Sequence, residues 1–125
     1  MTIHYLHTKL QVSNLDAAIR FYEAAFGYTV RSRRPGPHDS EIAFMALPGA
    51  SAEIQLCRYP GDPAVVVPER LMHLAYRVAD LDAVLAKALQ AGASLVSEPY
   101  VLPSGSRVAF IRDPQGYEIE LIQKP

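Results

Sequence analysis

The stretch "LHTKLQVSNLDAAIRFYEAAFG" (residues 6–27) returns, altered but in register, as "MHLAYRVADLDAVLAKALQAGA" (72–93). At an offset of 66, His7 falls on His73, Val12 on Val78, and "LDA" at 15–17 on "LDA" at 81–83. The offset holds further along, with "AF" at 43–44 over "AF" at 109–110 and Pro48 over Pro114. One residue of slack then puts "EIQL" (53–56) over "EIEL" (118–121). Self-similarity at a fixed offset marks a duplicated unit. The chain therefore reads as a first module over about 1–58, a Pro/Gly-marked linker "YPGDPAVVVPE" over about 59–69, and a second module over about 70–125.

Each module has the same coarse order. A strand (about 3–12, then about 71–78) alternates apolar and polar residues. A helix follows, entered at Ser13/Asn14 and at Asp80, whose short polar side chains suit the N-cap. Leu15, Ile19, Tyr22 and Phe26 recur at helical spacing in the first copy, as do Leu81, Leu85, Ala88 and Leu89 in the second. Gly27 and Gly92 stand where a left-handed C-cap belongs. Three strands are then expected near 28–33, 41–47 and 52–58, and again near 94–98, 106–112 and 117–123. The fold class is α+β: two tandem βαβββ modules forming a curved mixed sheet around a cavity, with helices on the outer face.

That reading follows from the two faces of each strand. Leu6, Leu10 and Val12 oppose His7, Lys9 and Gln11; Ile54 and Leu56 oppose Glu53, Gln55 and Cys57. In the second copy Met72, Leu74, Tyr76 and Val78 oppose His73, Ala75 and Arg77, while Ile119 and Leu121 oppose Glu118 and Glu120. One side suits packing under a helix. The other carries groups that a dry core would penalise.

Composition narrows the class without naming a chemistry. The 12 basic and 13 acidic residues nearly cancel, which gives no broad attraction for nucleic acid or an anionic membrane. No apolar run approaches the roughly 20 residues of a membrane helix, and the N-terminus lacks the pattern of a signal peptide. A single cysteine, Cys57, excludes an internal disulfide framework and suits a reducing cytoplasm.

The repeat also pairs chemistry. His7 matches His73 and Gln55 matches Glu120, all on the polar faces of the first and last strands of their modules. If those strands are neighbours, each module offers one imidazole and one oxygen donor. Two nitrogens and two oxygens without cysteine suit Ni²⁺, Co²⁺, Mn²⁺ or Fe²⁺, with Zn²⁺ also compatible. A lone strand histidine is more often structural than ligating; the reading rests on all four being in register. Glu118 and Glu53 pair in the repeat and are expected to be partly solvated. Lys9 and Arg77 share the faces of the histidines and are candidate contacts for an anionic substrate; Arg31, Arg33 and Arg34, before "PGPHDS", have two readings, as receivers of a substrate carboxylate or phosphate at the cavity mouth or, more commonly for such a group, as a solvated loop.

The paired modules, the opening "LHTKLQVSNLDAAIRFYEAAFGY" and the ending "AFIRDPQGYEIELIQ" resemble the glyoxalase/bleomycin-resistance/dioxygenase group, also called the vicinal oxygen chelate superfamily, over essentially the whole chain. The resemblance implies a single domain, a homodimer whose active site lies at the subunit interface, and a metal held at His7, Gln55, His73 and Glu120. It further implies a small-molecule substrate chelated through neighbouring oxygens, with Glu120 as the base that takes a proton next to a carbonyl. The glyoxalase I (lactoylglutathione lyase) pattern departs here at Gln11, where an arginine for the glutathione carboxylate is expected, and at Tyr59, where an asparagine is. Methylmalonyl-CoA epimerase is also similar: its His, Gln, His, Glu ligand set is matched, and Glu41 falls near a second base. A metal-free antibiotic-binding protein is the reading from another class. Gln11, Cys57 and Glu41 join Lys9 and Arg77 as candidate substrate contacts.

Overall fold

Each copy of the repeat builds its own four-stranded mixed sheet. A computed structural model describes residues 1–125. The first copy runs β1 (His7–Gln11), α1 (Leu15–Phe26), β2 (Thr29–Pro35), β3 (Glu41–Ala46) and β4 (Glu53–Arg58). The second runs β5 (His73–Arg77), α2 (Leu81–Gln90), β6 (Ser94–Val101), β7 (Arg107–Arg112) and β8 (Glu118–Gln123). The sheet orders are β1-β4-β3-β2 and β5-β8-β7-β6. In each, the first and last strands pair in parallel and the other neighbours are antiparallel. The expected βαβββ order thus occurs twice. The chain divides into compact units at Met1–Val65 and Val66–Pro125, a break inside the Pro/Gly-marked stretch.

Both helices start as their sequences dictate. The side chains of Asn14 and Asp80 accept hydrogen bonds from the N–H groups of Ala17 (3.0 Å) and Ala83 (3.1 Å), each satisfying a donor that the first turn leaves open. Their ends differ. α1 stops at Gly27, whose φ of 78° needs no Cβ to be accommodated. α2 stops earlier, at Ala91 in a right-handed conformation, so Gly92 follows the cap rather than forming it. Arg107 forks onto both carboxylate oxygens of Asp82 (3.0 and 3.2 Å), tying α2 to β7 and holding the Asp82 carboxyl below its ordinary range.

The two cores are unequal. Leu10, Ala43, Met45 and Leu56 are fully buried on the side of the first sheet that α1 covers. α1 buries Leu15, Ala18, Ile19, Phe21, Tyr22 and Ala25, whereas α2 buries only Leu81 and Ala88. The repeat explains the difference, because Tyr22, Phe21 and Phe26 are answered by Ala88, Lys87 and Gly92. Tyr22 packs edge-on to Phe21 (5.0 Å between ring centroids) and Tyr28 (5.7 Å). With smaller residues above them, Leu74, Tyr76 and Val78 remain half-buried. Leu6, expected in the core, precedes β1 and is 67% exposed.

Tyr22 anchors this aromatic cluster. Urea unfolding of Tyr22→Ala is expected to show a loss of about 3–5 kcal/mol, the usual cost of emptying a large aromatic site. Gly27→Ala is expected to lose about 1 kcal/mol, from the left-handed backbone alone.

Candidate active site

Paired residues in a β-ladder project to the same face, so the register decides which side chains meet. In the first unit Gln55 lies between Lys9 on β1 and Phe44 on β3. In the second, Glu120 lies between Ala75 on β5 and Phe110 on β7. The His7 ring stands edge-on to Phe44 at 5.3 Å, and the His73 ring edge-on to Phe110 at 5.7 Å. Each unit therefore repeats one arrangement: an imidazole, an oxygen donor, and a phenyl ring packed edge-on against the imidazole. The phenylalanines were legible as "AF" over "AF" in the repeat, yet only the ladder reveals their part.

In the second unit the two donors touch. His73 Nε2 lies 3.3 Å from Glu120 Oε1, with the imidazole well exposed and the carboxylate 20% exposed. A nitrogen and an oxygen so placed, both reachable from solvent, are a chemically suitable pair for a divalent ion. His7 and Gln55 supply the same kinds of atom in the first unit. No three His, Cys, Asp or Glu side chains gather as a metal-holding cluster, so each unit offers a pair of donors rather than a complete site.

The neighbouring glutamates have a different fate. Glu118 is only 9% exposed, against the expectation of partial solvation. Its carboxylate accepts the Arg70 N–H (3.3 Å) and lies 3.7 Å from an Arg112 nitrogen, which offsets its burial. Glu53 stays half-buried beside Arg31 at 3.7 Å. Glu118 and Glu120 share one face of β8, and their partners rather than alternation separate a structural carboxylate from one that is open to a ligand.

The remaining candidates divide by face. Lys9 bonds the Tyr59 hydroxyl and sits 4.5 Å above its ring. Gln11 Nε2 donates to Asp62 (3.3 Å), and Ser13 Oγ accepts the Val65 N–H (2.9 Å). Every second residue from Lys9 to Ser13 thus holds part of the segment 59–65, which crosses β1 as a strap. A cleft of ≈ 220 Å³ beside it is lined by Gln11, Ser13, Arg58, Tyr59 and Asp62. Arg77 is exposed and lines an opening of ≈ 330 Å³ with Lys124 in the second unit.

Two candidates are corrected. Glu41 alternates with Ile42 and Phe44, so it projects to the face opposite Gln55, where it pairs with Arg58 at 3.6 Å. Cys57 shares the donor face by register, but it is 1% exposed between its strand partners Gln11 and Ile42, which closes it to a substrate.

Residues 4–121 match the Glyoxalase/Bleomycin resistance protein/Dioxygenase superfamily. The chain belongs to this superfamily. It is 31% identical over 122 residues to the lactoylglutathione lyase of Haemophilus influenzae, covering 94% of this chain and 90% of that one. The chain spans only 36% of the length of a Mycobacterium bovis relative to which it is 37% identical over 101 residues. Among solved structures, the trypanothione-dependent glyoxalase I of Leishmania major superposes with a TM-score of 0.81 at 27% identity, over 98% of this chain and 88% of that one. The antibiotic-binding protein TnmS3 of Streptomyces sp. CB03234 does so with a TM-score of 0.77 at 28% identity, over 99% and 98%. The same scaffold thus occurs in a glyoxalase I and in an antibiotic-binding protein.

The burial contrast on β8 is directly measurable. Glu118→Gln is expected to cost roughly 1–3 kcal/mol in urea unfolding, because a neutral amide then stands in the buried site where a carboxylate accepts the Arg70 N–H and pairs with Arg112. Glu120→Gln is expected to stay within about 0.5 kcal/mol of the parent protein.

Proposed function

We propose that this superfamily member is a divalent-metal-dependent lyase or isomerase that moves a proton next to a carbonyl of a small chelated substrate, in the manner of lactoylglutathione lyase. One observation carries the reading: His73 Nε2 and Glu120 Oε1 stand 3.3 Å apart on a parallel strand pair, and His7 and Gln55 occupy the equivalent positions in the other module. His7, Gln55, His73 and Glu120 are the residues that would hold the ion (Ni²⁺, Co²⁺, Mn²⁺, Fe²⁺ or Zn²⁺). Such an ion polarises a carbonyl and offsets negative charge that develops on its oxygen. The protein's own groups supply the proton chemistry. Glu120, partly open to solvent, is the carboxylate that accepts and returns a proton through an oxygen. Gln55 is an amide and does neither near neutral pH, so the base acts from the second module alone.

A homodimer completes the proposal, each site drawing two strands from one subunit and two from the other, in a cytoplasmic, reducing setting that suits the lone buried Cys57. Glutathione is disfavoured as the thiol. Where a guanidinium would grip its carboxylate, Gln11 is engaged with Asp62, and an amide does not replace a charged fork. The epimerase-like reading keeps the ligand set but loses Glu41 as its second base.

The likeness to TnmS3 favours a second reading, metal-free binding of an antibiotic. Metal dependence separates the two. Protein purified without added metal is expected to be stabilised by Ni²⁺ or Co²⁺ in a thermal melt, and to turn over a methylglyoxal–thiol adduct only when loaded. Glu120→Gln is expected to retain metal while turnover falls about 10²–10⁴-fold, the range of general acid–base catalysis. No stabilisation by any divalent ion, together with unaltered ligand binding in Glu120→Gln, establishes the sequestering reading instead.

A further inference from the structure

Three arginines cluster on β2, and the strand sends them to different work. β2 continues to Pro35, so Arg33 and Arg34 lie within a strand rather than a loop. Arg31, at a bulge between Val30 and Ser32, donates to the Ala50 carbonyl (2.6 Å) and pairs with Glu53 (3.7 Å). Arg33 pairs with Asp16 of α1 at 2.7 Å, on the helix side of the sheet. Arg34 is opposite Ile42, which is opposite Cys57, so it projects to the same face as Phe44 and Gln55. It has no carboxylate partner. Its guanidinium carbon instead sits 5.2 Å from the centre of the Phe44 ring.

Phe44 is also the ring that packs edge-on against His7. The guanidinium and the His7 imidazole lie 5.2 and 5.3 Å from one phenyl centroid, so they are no more than 10.5 Å apart. A donor–acceptor contact at each end takes roughly 2–3 Å, so a ligand that bridges the two groups is no larger than a small molecule. The repeat shows that this is no requirement of the scaffold: the position equivalent to Arg34 is Tyr100, paired with Val108 as Arg34 is with Ile42. One module alone carries the cation.

We propose that Arg34, held on the Phe44 ring, receives a carboxylate of the substrate and thereby selects a small 2-oxo or 2-hydroxy acid derivative. The selection rests on the functional reading above for what happens at the substrate's other end. A planar guanidinium accepts a carboxylate through two parallel N–H···O bonds, and stacking on an aromatic face limits the freedom lost when those bonds form. The anion specificity that Gln11 fails to provide is thus placed at the far edge of the sheet, three strands away, on the same face.

The test uses pyruvate and its neutral isostere pyruvamide, titrated by NMR into EDTA-treated and Zn²⁺-loaded protein. The parent protein is expected to bind pyruvate about tenfold more tightly than pyruvamide in both forms, with shifts centred on Arg34 and Phe44. Arg34→Gln is expected to flatten the preference to within about twofold, Arg34→Lys to keep part of it, and Arg33→Gln to leave it unchanged. An unchanged preference in Arg34→Gln, or none in the parent protein, overturns the proposal. If zinc alters nothing while the Arg34-dependent preference persists in EDTA, the metal reading fails and the carboxylate receptor stands.

Discussion

His7 faces Glu53 and His73 faces Glu118 across the parallel ladders that join the first and last strands of each unit, and this register governs everything else about the site. Two positions further along, it sets Gln55 beside Lys9 and Glu120 beside Ala75, on the same faces as the histidines. A slip of one residue would reverse every side chain, sending Gln55 and Glu120 under the helices and Leu56 and Leu121 into solvent. The apolar face prevents that slip, because Leu10, Leu56, Ile119 and Leu121 are fully buried. Core packing and donor geometry are therefore one constraint seen from two sides of a sheet.

The duplicated scaffold carries unequal chemistry. Gln55 answers Glu120, so one module offers a proton acceptor and the other a neutral oxygen. Arg34 answers Tyr100, so one module offers a cation where the other offers a half-exposed ring. The cores diverge as well, with an aromatic cluster around Tyr22 set against Ala88. Gene duplication explains the shared strand order, and the two copies have since departed from symmetry in their polar groups as well as in their cores. Likeness to a lactoylglutathione lyase on one side and to an antibiotic-binding protein on the other places the weight of function on such departures rather than on the fold.

Much of this was legible in the residues. The 66-residue offset and the two-residue alternation located every strand and both helices, and they singled out His7, Gln55, His73 and Glu120. What escaped depends on long-range packing. The burial of Glu118 depends on Arg112, its cross-strand partner in the β7–β8 hairpin, and on the backbone of Arg70, 48 positions away. Glu41 read as a possible base until the strand phase placed it on the helix side, one residue out of step with Phe44. The arginines of β2 have two readings in the sequence because alternation plus a bulge, rather than composition, assigns each a different partner. The strap over β1 joins residues about fifty positions apart, beyond the reach of any local pattern.

The central proposal is that strand register brings one imidazole and one oxygen donor per module onto a face where they hold a metal, while Glu53 on the same face is held by Arg31 instead. Calorimetric titration of Ni²⁺ into the parent protein and into single alanine variants of His7, Gln55, His73 and Glu120, with Glu53→Gln as the neighbour control, tests it most directly. The account predicts saturable binding that each of the four substitutions weakens about tenfold or more, and that Glu53→Gln leaves intact. Absence of Ni²⁺ binding, or an equal loss in Glu53→Gln, would contradict it.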